Sequence, residues 1–137
     1  MSDSEDRAEV QQTLEAVWRH FANQDPKAMM ALLHESCTIW DIFQPQLVNK
    51  ASLEGYVEAD FDQSAARGPL SYTMDDFKID IWDDTALARF YLRYVYEPPG
   101  ATSGTGRITV VLRRFAEGWR LVHVHEGQIP EGIPELA

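Results

Sequence analysis

Between residues 10 and 21 the apolar positions follow a helical period. Val10, Leu14, Val17, Trp18 and Phe21 fall at i, i+4, i+7, i+8 and i+11, one stripe of a helix. Ser2 and Glu5 have the spacing of a capping box at its start. "NQDP" then breaks the pattern. Asp25 is suited to N-cap, and Pro26 to open, a second short helix with Met29, Leu32 and Leu33 on its buried side. "CTIWDIF" (37–43) is rich in β-formers and predicts a short strand, and "QPQLVNK" a connector. Ser52 is the expected cap of a third helix with Leu53, Tyr56, Val57 and Phe61 as its stripe, ended by Gly68 and Pro69.

From residue 70 the period changes to two. Phe77, Ile79 and Ile81 alternate strictly, "WDDT" predicts a hairpin turn, and "ALARFYLRYVYE" (86–97) a long strand. "PPGATSGTG" is read as a loop, because its Pro and Gly residues interrupt strand pairing. "RITVVLRRF" and "WRLVHVHEG" give two more strands joined by "AEG". Three helices with one early strand, followed by four hairpin-linked strands, argue an α+β fold: helices on one face of a curved antiparallel or mixed sheet. Such a sheet alternates apolar and polar residues when one face meets water. Here Leu87, Tyr91 and Val95 oppose Phe90, Leu92 and Tyr94, so both faces read as buried. Helices cover one face. A second copy of the chain is the expected cover for the other, giving a homodimer packed sheet to sheet; the alternative is a monomer with an aromatic outer face.

Composition narrows the classes. With 137 residues, 45% of them apolar, a single globular domain over 1–137 is expected. The net charge of −10 argues against a nucleic-acid partner. Acidic clusters at residues 3–6 and 74–76 read as solvated faces. No apolar run reaches the length of a membrane span, and "MSDSEDRAEV" is the opposite of a secretory leader. A single cysteine, Cys37, reads as a small buried residue of a cytoplasmic protein. "GATSGTG" lacks the strand-to-helix setting of a phosphate-binding loop, so no cofactor is expected.

"RITVVLRRFAEGWRLVHVHEGQIP" (107–130) resembles the C-terminal signature of SnoaL-like domains in the nuclear transport factor two-like superfamily: Arg-x-Thr, a basic strand, a Gly-Trp turn and a strand ending in His-x-His. The association domain of calcium/calmodulin-dependent kinase closes similarly. "FYLRYVYE" (90–97) is similar to the preceding strand, and "FANQDPKAMMALLHESCTIWD" (21–41) to the superfamily's opening. The resemblance implies a cone-shaped (cystatin-like) fold with a pocket between helices and bent sheet. It also implies an inward arginine at Arg93, and a general base at Asp41, where ketosteroid isomerases of the superfamily carry theirs. The chain departs from the isomerase pattern on the first helix, where Val17 and Trp18 occupy the stretch that should hold a tyrosine.

The candidate chemistry follows. His123 and His125 project to one face of a strand, together with Trp119 and Leu121. A metal pair would need a third ligand from His20, His34, Asp41 or Glu126, and spacing fixes none, so no metal is expected. Pocket contact and structural hydrogen bonding remain the two readings of these histidines. Asp41, flanked by "IW" and "IF", is the candidate catalytic base, with His125 as its partner. Arg93 and Arg107 lie in apolar strands, where an inward arginine demands an acidic partner from the protein or a ligand. Trp18, Trp40, Tyr56, Phe61 and Tyr91 are candidate pocket walls, with plain core packing as the alternative. The reading that emerges is binding of a small, largely apolar organic molecule, with an acidic group facing Arg93. Cofactor-independent isomerase-, cyclase- or dehydratase-type chemistry would act on it. The rival is a non-catalytic assembly or protein-binding module.

Overall fold

A computed structural model describes residues 2–42, 44–55 and 69–130. Helix α1 (Asp3–Ala22) starts at Ser2, whose hydroxyl accepts from the Glu5 amide at 3.3 Å. Its stripe of Val10, Leu14 and Val17 is buried, with Trp18 and Phe21 packed against the core. The stripe also takes in Asp6, at 3% exposure the one charged residue buried among those described. This corrects the reading of residues 3–6 as a solvated face at Asp6 alone, since Asp3, Ser4 and Glu5 are exposed. Asp6 receives a forked pair of bonds from Arg114, Nη1 to Oδ1 at 2.8 Å and Nη2 to Oδ2 at 3.3 Å. The fork satisfies both carboxylate oxygens and fastens α1 to the far hairpin.

Gln24, at φ 56°, turns the chain. Asp25 then caps α2 (Pro26–Met30) by accepting from the Ala28 amide at 3.2 Å. Strand β1 (Leu33–Trp40) begins four residues earlier than the β-formers alone indicated and stops just before Asp41. The expected connector contains a two-residue strand, β2 (Val48–Asn49), paired antiparallel with β1. Residues 50–55 are helical, and Asn49, not Ser52, caps them: its Oδ1 accepts from the Ser52 amide at 2.9 Å. The remainder of the expected third helix, Tyr56 and Phe61 included, lies outside the described residues.

Four long strands follow: β3 (Leu70–Trp82), β4 (Thr85–Tyr96), β5 (Thr102–Phe115) and β6 (Gly118–Gln128). The sheet order is β2-β1-β6-β5-β4-β3, antiparallel except where β1 runs parallel to β6. Strand β5 takes in most of the presumed Pro-Gly loop. Its glycines serve close approach: a Cβ on Gly104 would lie 2.6 Å from the Gln128 amide nitrogen and 2.7 Å from the Tyr94 hydroxyl.

Two bulges bend the sheet. In β3 the register shifts between Asp75 and Lys78, with Asp76 at φ 58°. Inward residues therefore change from Tyr72 and Met74 to Phe77, Ile79 and Ile81. In β6, Val111 pairs with His123 while the adjacent Leu112 pairs with Leu121, leaving Val122 as the extra residue. The inner face carries Ala86, Ala88, Phe90, Ile108, Val110 and Leu112, all buried, and α1 lies over it. Cys37 is fully buried there, and burial pushes its thiol up to about 12, the state of a packed, unreactive sulfur. No helix among the described residues is long and apolar enough to cross a membrane.

Candidate functional site

Where the bent sheet curls away from α1 it encloses a cavity of about 150 Å³. Val17, Trp18 and Phe21 of α1 form its roof; Leu33 and Ile39 of β1, Ile108 of β5 and Val124 of β6 form its floor. Polar groups are few. Tyr72, Tyr94 and Tyr96 bring phenols, Asp41 and Glu126 bring carboxyls, and no Lys, Arg or His lines the space among the described residues.

The two carboxyls meet because β1 and β6 are parallel and in register. Trp40 pairs with His125, so the next residue of each strand, Asp41 and Glu126, falls beside the other on the inner face. Their side chains share a hydrogen bond, and the Ile42 amide donates to Glu126. Burial pushes the Glu126 carboxyl up to about 8, helped by the charge and hydrogen bond of Asp41 and opposed by the Ile42 amide. Two carboxyls in hydrogen-bond contact hold one proton between them, and that proton belongs to the pair.

Tyr94 stands nearby. Its phenol is raised above the usual range by burial first and by the negative charge of Glu126 second. Its oxygen accepts from Gln128 Nε2 at 2.7 Å. Gly104 leaves the room in which that contact forms, so glycine is required there for reasons that bear on the cavity wall.

Of the residues singled out by sequence, Asp41 and Trp18 line the cavity. Trp18 also meets Phe90 edge to face at 5.3 Å, combining both readings given to it. Tyr56 and Phe61 lie outside the described residues, and the remaining candidates lie elsewhere. His123 and His125 are on the opposite, outer face. The extra residue at Val122 rotates the rest of β6 by one position, so the histidines part company with Trp119 and Leu121 while Val124 and Glu126 turn inward. His123 Nδ1 instead contacts Thr38 Oγ1 at 2.8 Å, and Trp40 is 40% exposed on that same outer face. In β4 the inward set is Phe90, Leu92 and Tyr94, so Tyr91 and Arg93 also point outward. Arg93 Nε donates to Asp75 Oδ2 at 3.2 Å, and its guanidinium lies 5.7 Å from the Tyr91 ring centre. Arg107 pairs with the half-buried Tyr91 and is itself exposed. The pocket of Arg93, Tyr91, His125 and Asp41 therefore does not assemble, and the acidic ligand group expected opposite Arg93 loses its partner.

Glu126 had entered the sequence reading only as a spare metal ligand, and Tyr72, Tyr94 and Tyr96 not as site residues at all. One local signal for Glu126 exists. Apolar residues in β6 fall at 119 and 121 and then at 122 and 124, and this phase jump marks a bulge.

A sequence profile of the SnoaL-like domain matches residues 10–130. Comparison by sequence with curated proteins finds no match. Solved structures share the architecture. A nuclear transport factor two-like protein of unknown function from Pseudomonas putida is 22% identical; the match covers 93% of this chain and 88% of that one, with a TM-score of 0.79. A Streptomyces avermitilis protein of the same family, provisionally called a dehydratase, is 15% identical over 93% and 99%, at 0.81. A Novosphingobium aromaticivorans protein, provisionally called an aromatic ring hydroxylase, is 19% identical over 95% and 93%, at 0.80. At these identities the likeness establishes the cystatin-like fold.

Proposed function

The chain belongs to the SnoaL-like domain family of the nuclear transport factor two-like superfamily, and on that premise we propose that its cavity binds a small, largely apolar organic molecule and moves a proton within it. The observation that carries this reading is the Asp41–Glu126 pair, two hydrogen-bonded carboxyls in the wall of an otherwise apolar cavity. Burial of this kind brings the Glu126 carboxyl to a proton affinity near neutrality, as general acid–base catalysis requires. The pair holds one proton. Glu126 gives it to a polar atom of the ligand while Asp41 takes another from carbon or oxygen, so the pair ends with as many protons as it began. Isomerisation, dehydration and cyclisation share that balance, and none of them needs a cofactor. Asp41 keeps the role expected of it, and Glu126 takes the place given to His125. The Streptomyces relative's provisional label fits the same class of chemistry.

The size of the cavity limits the ligand. A space of about 150 Å³ accommodates one ring, as apolar cavities of about that volume take up benzene in other proteins. For the outer face we keep a second copy of the chain as the proposed cover, since Trp40 and Val95 are 40% and 43% exposed there.

Native mass spectrometry followed by denaturing extraction tests this reading. A dimer that releases a stoichiometric one-ring molecule is expected. On incubation in deuterated water, deuterium should enter that molecule with the wild type and not with Asp41→Asn or Glu126→Gln. An empty assembly larger than a dimer defeats the proposal and favours the assembly module.

A further inference from the structure

We infer that the cavity selects a small organic cation, a protonated amine carried on a one-ring apolar skeleton. This rests on the reading of the cavity as a ligand site and names the charge of what enters it.

Four observations converge. The described lining holds two carboxyls and no Lys, Arg or His. Joined by a hydrogen bond, the two carboxyls share one proton and so retain one negative charge at neutral pH. A cation entering such a weakly screened site is attracted, and an anion is repelled by a comparable amount. The walls are aromatic, with Trp18, Phe21, Tyr72, Tyr94 and Tyr96 presenting rings to the space, and ring faces attract ammonium groups. Two strand cations, Arg89 and Arg93, are on the other side of the sheet, where they bond Asp80 and Asp75 out of reach of a ligand inside, and Arg114 on the helix side is forked onto Asp6. Finally, the chain carries a net charge of −10, which concentrates cations and disfavours anions around it.

The ammonium group of such a ligand sits against Asp41 and Glu126 and donates to both, while its ring fills the space between Trp18 and the sheet. A neutral hydroxyl makes one of those bonds without the charge term. A carboxylate makes none and meets like charge.

Three probes of equal size separate the cases: benzylamine, benzyl alcohol and benzoate, titrated calorimetrically into the full chain at pH 7. Benzylamine is expected to bind at least about tenfold more tightly than benzyl alcohol, and benzoate not to bind. In the Asp41→Asn/Glu126→Gln double variant, which removes the pair's charge, the amine should lose that advantage while the alcohol still binds, which also shows that the variant is folded; Glu126→Gln alone leaves the Asp41 carboxylate and should keep most of the preference. Alcohol or benzoate binding as tightly as the amine overturns the inference and leaves the cavity reading standing. Binding by none of the three, with no molecule released on extraction, overturns both.

Discussion

Asp80 and Glu126 are carboxyls on opposite faces of one sheet, and they are treated in opposite ways. Asp80 of β3 faces outward. Its hydrogen bond from Arg89 holds it below the usual carboxylate range, against a smaller effect of burial. Glu126 of β6 faces inward, where burial and a second carboxyl raise it to about 8. Strand alternation deals acidic residues to both faces, and the neighbours on each face decide what they become. Outside, guanidinium groups and water keep the acid ionised and chemically idle. Inside, the acid keeps its proton into the range where it can be transferred. The outer face holds exposed ion pairs and the inner face lines the cavity proposed to bind a ligand, although both belong to one sheet.

The largest effect should come from truncating an aliphatic side chain on each of the two faces. Leu112 is fully buried in β5, and Val95 of β4 is 43% exposed on the outer face. Leu112→Ala should cost about 3 kcal/mol, the middle of the range for a large-to-small core change. Val95→Ala should fall within about 0.5 kcal/mol. Urea unfolding of the two variants at micromolar concentration reads both. Near-equal losses would mean that the outer face is packed as firmly as the inner, and the contrast between them would fail.

Glu126→Gln sharpens the contrast through pH. The folded protein holds the Glu126 proton up to about pH 8, whereas the unfolded chain releases it near 4.5. Between those values the folded state binds more protons, so stability from this group is present below about pH 4.5 and is lost as pH rises toward 8. The amide carries no such loss. Relative to wild type, the variant should gain on the order of 1–3 kcal/mol between pH 5 and pH 9, less than the roughly 4 kcal/mol of the full difference, because Glu126 is partly exposed to water. The groups facing Glu126 are Asp41 after β1 and Tyr94 on β4. Thermal melts of the two across this range give the gap, and a constant gap would place Glu126 in water.

Why Asp41 was legible and Glu126 was not follows from where each signal resides. The helical stripe of α1, the Asp25–Pro26 start of α2 and the alternation of Phe77, Ile79 and Ile81 are local patterns, and the fold class follows from them with the element order. Asp41 stood out through its apolar flanks and the resemblance. Glu126 became a site residue only through two non-local facts, the parallel register of β1 against β6 and the extra residue at Val122. The bulge parts both histidines from the face of Trp119 and Leu121, because a one-residue slip exchanges the faces of every later side chain, and of the two readings it leaves His123 the hydrogen-bonded one. Asp6 was misread for a similar reason. Its partner Arg114 lies 108 residues away, and from sequence a charge in a first helical turn is a solvated one. The strand at Gly104 was hidden because glycine reads as a breaker, while here a neighbouring tyrosine and glutamine need its missing side chain.

Arg93 carries the smallest and most discriminating expectation. The resemblance pointed it into the pocket; the alternation of β4 turns it out, beside Asp75, with the two side chains 54% and 44% exposed. An exposed pair of this kind contributes at most a few tenths of a kcal/mol, because water competes for both partners and two long side chains must be held still. Arg93→Ala should therefore leave stability within about 0.5 kcal/mol of wild type, and it should leave the preference for benzylamine over benzoate untouched. An inward arginine would behave differently on both counts. Its loss would strip a cation from the cavity, deepen the exclusion of benzoate and leave any carboxylate it paired with buried alone. A benzoate that binds the wild type and is lost on Arg93→Ala would reverse the assignment of faces along β4, and with it the separation of cations outside from carboxyls inside.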